Sequence, residues 1–131
     1  MFNFLRFRKL STKELGRQGE NIALKFLQKQ GYRLDARNWK TRFGELDLVM
    51  LHEGQYIFVE VKTRYNVPLA REMIFENITV RKLQKLKRLS IYYLVCKFGR
   101  LKCPNYRIDV VAVLVDATGR KRAEIFHQKG W

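Results

Sequence analysis

Apolar side chains recur at helical spacing between Thr12 and Gln30, where Leu15, Ile22, Ala23, Phe26 and Leu27 share one face. Ser11 followed by Glu14 makes a capping box at its start, and Gly31 stands where helices commonly end. Gly16 and Gly19 lie on or beside the apolar stripe. Each weakens a helix by about 1 kcal/mol relative to Ala, which predicts close approach of another backbone as compensation. Glu20 falls at the border of the stripe, beside Leu27, and can lean over the edge of whatever the helix covers.

The period then changes to two. Tyr32, Leu34 and Ala36 alternate with Arg33, Asp35 and Arg37, the pattern of a half-buried strand. Two runs rich in strand formers, Glu45 to Leu51 and Gln55 to Lys62, flank His52-Glu53-Gly54, a hairpin signal. After a loop containing Pro68, Thr79 caps a second helix reaching about Phe98. Val80, Leu83, Leu86, Ile91 and Leu94 are expected inward, with Arg81, Lys82, Lys85 and Arg88 on the opposite side. Arg107 to Val115 is nearly all apolar and reads as a buried strand, and Ala123 to His127 as a weaker one. Tyr32 and Trp39 read as core. The order α-β-β-β-α-β(-β) predicts an α/β fold of the mixed α+β kind, a mixed sheet with helices against it.

Length and composition narrow the setting. The chain has 131 residues, 47% of them hydrophobic, enough for one core, so residues 11–131 are read as one domain behind an arm of residues 1–10. Phe2, Phe4 and Phe7 in that arm would cover an apolar patch or dock on a second subunit. No window is apolar enough to span a membrane, and the first ten residues, broken by arginines, make a poor signal peptide. Cys96 and Cys103 cannot staple a fold of this size and fit a reducing cytoplasm.

Charge adds a partner. Lys and Arg number 27 against 12 acids, a net charge of +15, and no acid occurs from Asn77 to Ile108. Such a block repels itself unless a polyanion lies against it. Nucleic acid is the favoured one, over an acidic membrane face or a merely solubilising surface.

The hairpin permits a geometric deduction. A turn centred on Glu53-Gly54 pairs residues whose numbers sum to 107, so Asp47 faces Glu60 and Glu45 faces Lys62. Opposed residues share a sheet face with Cβ atoms about 4.5 to 5.5 Å apart. Two carboxylates so placed repel, and burial strengthens the repulsion. Either one holds a proton or a cation lies between them, and Mg2+ or Mn2+ suits such hard oxygen donors. Lys62 beside them would assist a nucleophilic water or hold developing phosphate charge. The plain alternative is an exposed face with Glu45–Lys62 and Glu60–Lys62 ion pairs, contributing about 0 to 1 kcal/mol each. Spacing alone leaves both readings open.

The chain resembles the YraN family (UPF0102) within the PD-(D/E)XK, restriction-endonuclease-like superfamily, a group related to Holliday-junction resolvases. The matching pieces are Gly16-Arg17-Gln18-Gly19-Glu20, Arg37-Asn38, Gly44-Glu45-Leu46-Asp47-Leu48, Phe58-Val59-Glu60-Val61-Lys62-Thr63-Arg64, Thr79 to Lys82, and Arg107-Ile108-Asp109-Val110. The resemblance spans roughly residues 14 to 115. The chain departs from the pattern in the loop Tyr65 to Glu76, which lacks a glycine-containing segment, and at Ile108, where an aromatic is usual. The resemblance implies an αβββαβ core, Asp47 and Glu60 as metal ligands with the Val61 carbonyl, Lys62 as the lysine of the triplet, and Glu20 as the helix acid.

The resulting expectation is a cytoplasmic, Mg2+- or Mn2+-dependent endonuclease acting on structured or branched DNA. Its catalytic residues would be Glu20, Asp47, Glu60 and Lys62, with Arg17, Arg64, Arg81, Lys82, Lys85 and Arg88 on the nucleic acid. Arg64 is read equally as a partner for Glu45 or Glu76. The rival is a nucleic-acid-binding protein that keeps the fold without cutting; a ribosome-associated or scaffold role is a third reading, so RNA is not excluded. A homodimer is open. Asp109, with Arg107 two residues before it, reads as a satisfied structural acid, while His52, His127 and both cysteines lack ligand spacing.

Overall fold

Ser11 has extended backbone and its hydroxyl accepts the Glu14 amide, so α1 (Thr12–Lys29) begins where the capping pair predicts. The computed structural model describes residues 9–131; the arm up to residue 8, and with it the reading of Phe2, Phe4 and Phe7, lies outside the described residues. Leu15, Gly19, Ala23 and Leu27 are the buried stripe of α1, with Ile22 and Phe26 packed at its margins.

Five strands follow, interrupted by two helices: β1 (Arg33–Thr41), β2 (Gly44–His52), β3 (Gln55–Tyr65), α2 (Ala70–Glu76), α3 (Val80–Phe98), β4 (Tyr106–Val115) and β5 (Glu124–Gln128). They form one mixed sheet in the order β1-β2-β3-β4-β5, parallel between β3 and β4 and antiparallel elsewhere. A parallel neighbour needs a long crossover, and α2 and α3 supply it. α1 covers one face, packing Leu15, Ala23 and Leu27 on Leu48, Met50, Ile57, Val59 and Val111. α3 covers the other, packing Leu86, Leu89, Tyr93 and Leu94 on Leu46, Val49, Tyr56, Phe58 and Ile108. α2 sets Ala70 and Ile74 against Ala112 and Leu114. β4 is thus buried on both faces, which explains its unbroken apolar run.

The β2–β3 turn has Glu53 at φ 51° and Gly54 at φ 73°, two left-handed residues as a two-residue hairpin requires. The register summing to 107 holds from His52–Gln55 to Leu48–Val59.

Four local expectations are corrected. The compensation for Gly19 is a side chain, not a backbone: a Cβ there would lie 1.8 Å from Thr63 Oγ1, whereas nothing stands within 4 Å of Gly16. The alternation of Tyr32, Leu34 and Ala36 breaks at a bulge between Leu34 and Ala36, which sends Tyr32 toward α1 and Ala36 toward α3. The bulged Asp35 then reaches α3, accepting bonds from the Tyr93 hydroxyl and, at 2.6 Å, from Lys97 Nζ. A short helix, α2, occupies the segment read as a loop, because Ala70 and Ile74 find a pocket on the sheet. Finally, α3 turns Leu86, Leu89, Ser90, Tyr93 and Leu94 inward, leaving Val80 71% and Ile91 40% exposed. Lys82 and Lys85, in its first two turns, line a cleft with Glu45, Glu60 and Lys62 rather than lying on the far side of the helix.

Candidate active site

Asp47 lies where the sheet loses its regularity. It belongs to neither ladder: pairing with β3 ends at Leu48–Val59, and pairing with β1 skips from Leu48 to Leu46. Leu46 and Val49, three residues apart, pack in the same cluster, so the side-chain alternation of β2 slips between them. Asn38, opposite the slip on β1, is left-handed at φ 52°. The expected continuation of the ladder through Asp47–Glu60 and Glu45–Lys62 is therefore absent. Instead the Asp47 carboxylate turns toward β3, where its Oδ2 accepts the Val61 N–H at 2.9 Å.

The repulsion expected between Asp47 and Glu60 is present all the same. Burial, and then the negative charge of Glu60, push the Asp47 carboxyl up to about 7; Glu20 and Glu45 add to the rise and the Val61 amide opposes it. Glu60 is raised as well: burial outweighs the attraction of Lys62, whose Nζ stands 3.5 Å from Glu60 Oε1, and of Lys82. The two acids titrate as a linked pair, each making the other harder to ionise.

Glu20 joins them from α1. With its amide nitrogen turned toward the acids, Asn38 donates at 3.1 Å to Glu20 Oε2 and at 3.1 Å to Glu45 Oε1. Arg37 sits 3.7 Å from Glu20 Oε2 and donates to Asn21 at 2.5 Å, while its Nε is buried with no partner among the described residues. Sequence reasoning gave Arg37 and Asn38 no role in the site. The signal was there in outline, two polar residues inside a strand beside Trp39.

Two clefts open onto this cluster. One, of about 560 Å3, is walled by Gly16, Glu20, Asp47, Glu60, Lys62 and Arg64. The other, of about 190 Å3, lies toward α3 between Glu45, Glu60, Lys62, Lys82 and Lys85. Glu60 and Lys62 line both. Arg64 is exposed; its Nη1 bonds the Thr63 carbonyl at 2.9 Å, and it pairs with neither Glu45 nor Glu76 among the described contacts. Arg17 is exposed on α1, next to Gly16 on the cleft wall. Arg81, Lys85 and Arg88 line a third cleft on α3.

The donor set suits a hard divalent cation. Asp47 and Glu60 each commit one oxygen to the protein and keep the other without a hydrogen-bond partner among the described residues. Among the described residues no three His, Cys, Asp or Glu side chains are gathered as a ready-made metal group. Two carboxylates with a backbone carbonyl match the few-ligand habit of Mg2+, which keeps most of its waters.

Asp109 shows the opposite outcome. It is fully buried, accepts Arg107 Nε at 2.7 Å and Nη2 at 2.9 Å, takes the Gly130 amide at 3.0 Å, and lies 2.8 Å from His127 Nε2. Burial alone would raise its pKa, but these hydrogen bonds outweigh it and bring it down to about 2. It is the satisfied structural acid its sequence position suggests. His127, expected to be isolated, is its partner, and His52 stacks on Tyr32 at a centroid distance of 3.8 Å. Among the described residues no helix is long and apolar enough to cross a membrane.

Known proteins place the chain. A model of the uncharacterised protein family UPF0102 matches residues 19–113, a span holding Glu20, Asp47, Glu60 and Lys62. A UPF0102 protein of Arthrobacter sp. (strain FB24) is 42% identical over 116 residues, covering 88% of this chain and 93% of that one. A UPF0102 protein of Syntrophomonas wolfei subsp. wolfei is 41% identical over 105 residues, 80% of this chain and 88% of its own length. Another, from Chloroflexus aurantiacus, is 39% identical over 101 residues, 77% and 79% of the two chains.

Proposed function

The chain belongs to the uncharacterised protein family UPF0102, and from that premise we propose that it is a Mg2+- or Mn2+-dependent endonuclease of the restriction-endonuclease-like superfamily, hydrolysing phosphodiesters in structured or branched DNA. The observation that carries this is the pair Asp47 and Glu60, half-buried on one cleft wall beside Lys62 with Asp47 pushed up to about 7. Like charges held in a cleft cost stability, and a fold has no packing reason to keep them.

Asp47, Glu60 and the Val61 carbonyl would hold the ion. A bound divalent cation supplies Lewis-acid polarisation of the phosphate and lowers the pKa of an attacking water. The chain's own residues do the rest. Val61 N–H fixes one Asp47 oxygen, and the other, without a hydrogen-bond partner among the described residues, would be the one to ligate. Glu60 steadies the Lys62 ammonium, which faces both clefts and is placed to meet negative charge developing on the phosphate during in-line attack. Asn38 and Arg37 hold Glu20 on the wall, where it tunes the charge of the pair. Lys82, Lys85 and Arg64 would hold flanking phosphates.

A cleavage assay with Mg2+ or Mn2+ on branched, duplex and single-stranded DNA and on RNA tests this. Strand scission is expected, lost on chelation and in Asp47→Asn and Lys62→Ala. Absence of scission, or equal scission by both variants, overturns it. One observation favours a second reading, a nucleic-acid-binding protein that does not cut: no three acidic or imidazole ligands are gathered among the described residues. That reading expects binding indifferent to chelator and falling steeply with salt.

A further inference from the structure

The third cleft is not explained by phosphate chemistry. It lies between the β1–β2 turn and α3, encloses about 630 Å3, and is lined by Phe43, Arg81, Gln84, Lys85, Arg88 and Tyr92. Phe43 is 60% and Tyr92 46% exposed. A surface meant only to attract phosphates gains nothing from two exposed aromatic rings. A surface meant for an apolar protein partner would not surround them with three cations whose desolvation is costly.

The rings are held in place. Thr41 Oγ1 accepts the Phe43 N–H at 3.0 Å and donates to the Gly44 carbonyl at 3.1 Å, which fixes the turn. Gly44 seats that turn against α3: at φ 149°, a Cβ there would lie 2.8 Å from Lys85 Cε and 3.0 Å from Leu89 Cδ1. Arg42 covers one face of Phe43 at 4.9 Å, and Trp39 backs Tyr92 at a ring distance of 5.7 Å. Lys85 also lines the cleft that holds Glu60 and Lys62, so the aromatic cleft adjoins the acids.

We propose that this cleft is a stacking subsite for an unpaired nucleotide: its base lies against Phe43 and Tyr92, its edge within reach of Gln84, and its flanking phosphates on Arg81, Lys85 and Arg88. Stacking platforms bordered by cations are the general means of gripping a single strand without reading its sequence. The inference rests on the functional reading above in taking nucleic acid as the ligand, and deepens it by requiring an unpaired segment beside the acids. A base locked inside a duplex cannot reach these rings.

Binding is measured by fluorescence anisotropy in EDTA at fixed salt, with the full chain and labelled oligothymidylate, oligouridylate and a blunt duplex of equal length. Phe43→Ala and Tyr92→Ala are each expected to weaken single-strand binding about 5- to 100-fold while changing duplex binding by less than about twofold. Phe43→Leu, which keeps apolar bulk on an exposed turn, should lose affinity as well, which separates stacking from a folding defect. Arg88→Gln should weaken single strand and duplex alike and reduce the salt slope by about one. A preference lost in either the DNA or the RNA strand supports the subsite and says which sugar it accepts. Equal effects of Phe43→Ala on single strand and duplex, no effect on either, or no single-strand binding by the unaltered protein overturns it. Because metal is absent throughout, a protein that never cuts can still show the subsite, and one that cuts can still lack it.

Discussion

Asp47, half-buried, and Asp109, fully buried, sit in one sheet with opposite consequences. Burial acts on both in the same direction, against the charged form. Around Asp109 the fold gathers a guanidinium, an imidazole and an amide, and the carboxyl falls to about 2. Around Asp47 it gathers one amide and three other acids, and the carboxyl rises to about 7. Burial of an acid is thus no sign of purpose by itself. What separates structure from candidate chemistry is whether the fold supplies enough donors to satisfy the charge. At Asp109 the supply is complete, and at Asp47 it is withheld.

The same isosteric substitution at the two positions should therefore act with opposite sign. Asp109→Asn turns an amide N–H2 toward Arg107 or the Gly130 amide, which only donate, and leaves Arg107 without its anion. The expected loss is about 3 kcal/mol, at the low end for a broken buried pair because Arg107 is 27% exposed and regains water. Thermal unfolding should fall by on the order of 10 °C. The pH dependence has a definite direction. A carboxyl whose folded pKa is depressed stabilises the fold above its unfolded pKa, and this contribution disappears as pH falls through about 2. The wild type should lose stability relative to Asp109→Asn over that acid range. Equal stability of the two proteins at neutral pH would mean that the buried network contributes nothing net.

Asp47→Asn should stabilise. An ionised carboxyl raised from 3.8 to about 7 burdens the fold by at most about 4 kcal/mol, and sharing of charge with Glu60 lowers the gain expected from its removal to about 2 kcal/mol. Here the sign runs the other way: below about pH 4 the carboxyl is protonated in both folded and unfolded chains and the variant gains nothing. The gain grows as pH rises from 4 toward 7 and is complete above it. Urea midpoints measured across that range decide it. A divalent cation that binds between the acids should erase the difference by stabilising the wild type alone, by about 2.7 kcal/mol at a hundredfold excess over Kd.

Much of this contrast was legible in the chain, for reasons that differ by residue. The hairpin register followed from Glu53-Gly54, because a two-residue turn leaves no freedom in which residues face each other. Asp109 was recognisable as structural from Arg107 two positions away on the same face of a strand. His127 was not, because its meeting with Asp109 depends on β5 closing the sheet edge eighteen residues later. The slip of β2 at Asp47 was equally hidden. Strict alternation predicts opposed side chains at Asp47 and Glu60, and no local signal announces that Asn38 adopts a left-handed conformation and interrupts the neighbouring ladder. The face of α3 was misjudged because Val80 and Ile91 are apolar at helical spacing, yet the sheet packs against Leu86, Leu89, Tyr93 and Leu94 and leaves those two exposed. Tertiary contact, not propensity, chooses which stripe of a helix is buried.

The smallest expected effect tests how the deficit at Asp47 is built. Glu60 acts on it more strongly than Glu20 or Glu45, and Glu20 is itself held back by Asn38 and Arg37. Glu20→Gln removes one of the weaker-acting charges while leaving an amide that can still meet Asn38 through its oxygen. The raised Asp47 carboxyl should move down slightly, read as a shift of its carboxyl resonance in a pH titration by NMR, with little change in the unfolding midpoint. Glu60→Gln should move it further in the same direction, since Glu60 is the charge that acts most strongly on Asp47. If Glu20→Gln moved the Asp47 titration as far as Glu60→Gln does, the three acids would behave as one equally coupled cluster, and the distinction between a tight pair and an outlying helix acid would fail.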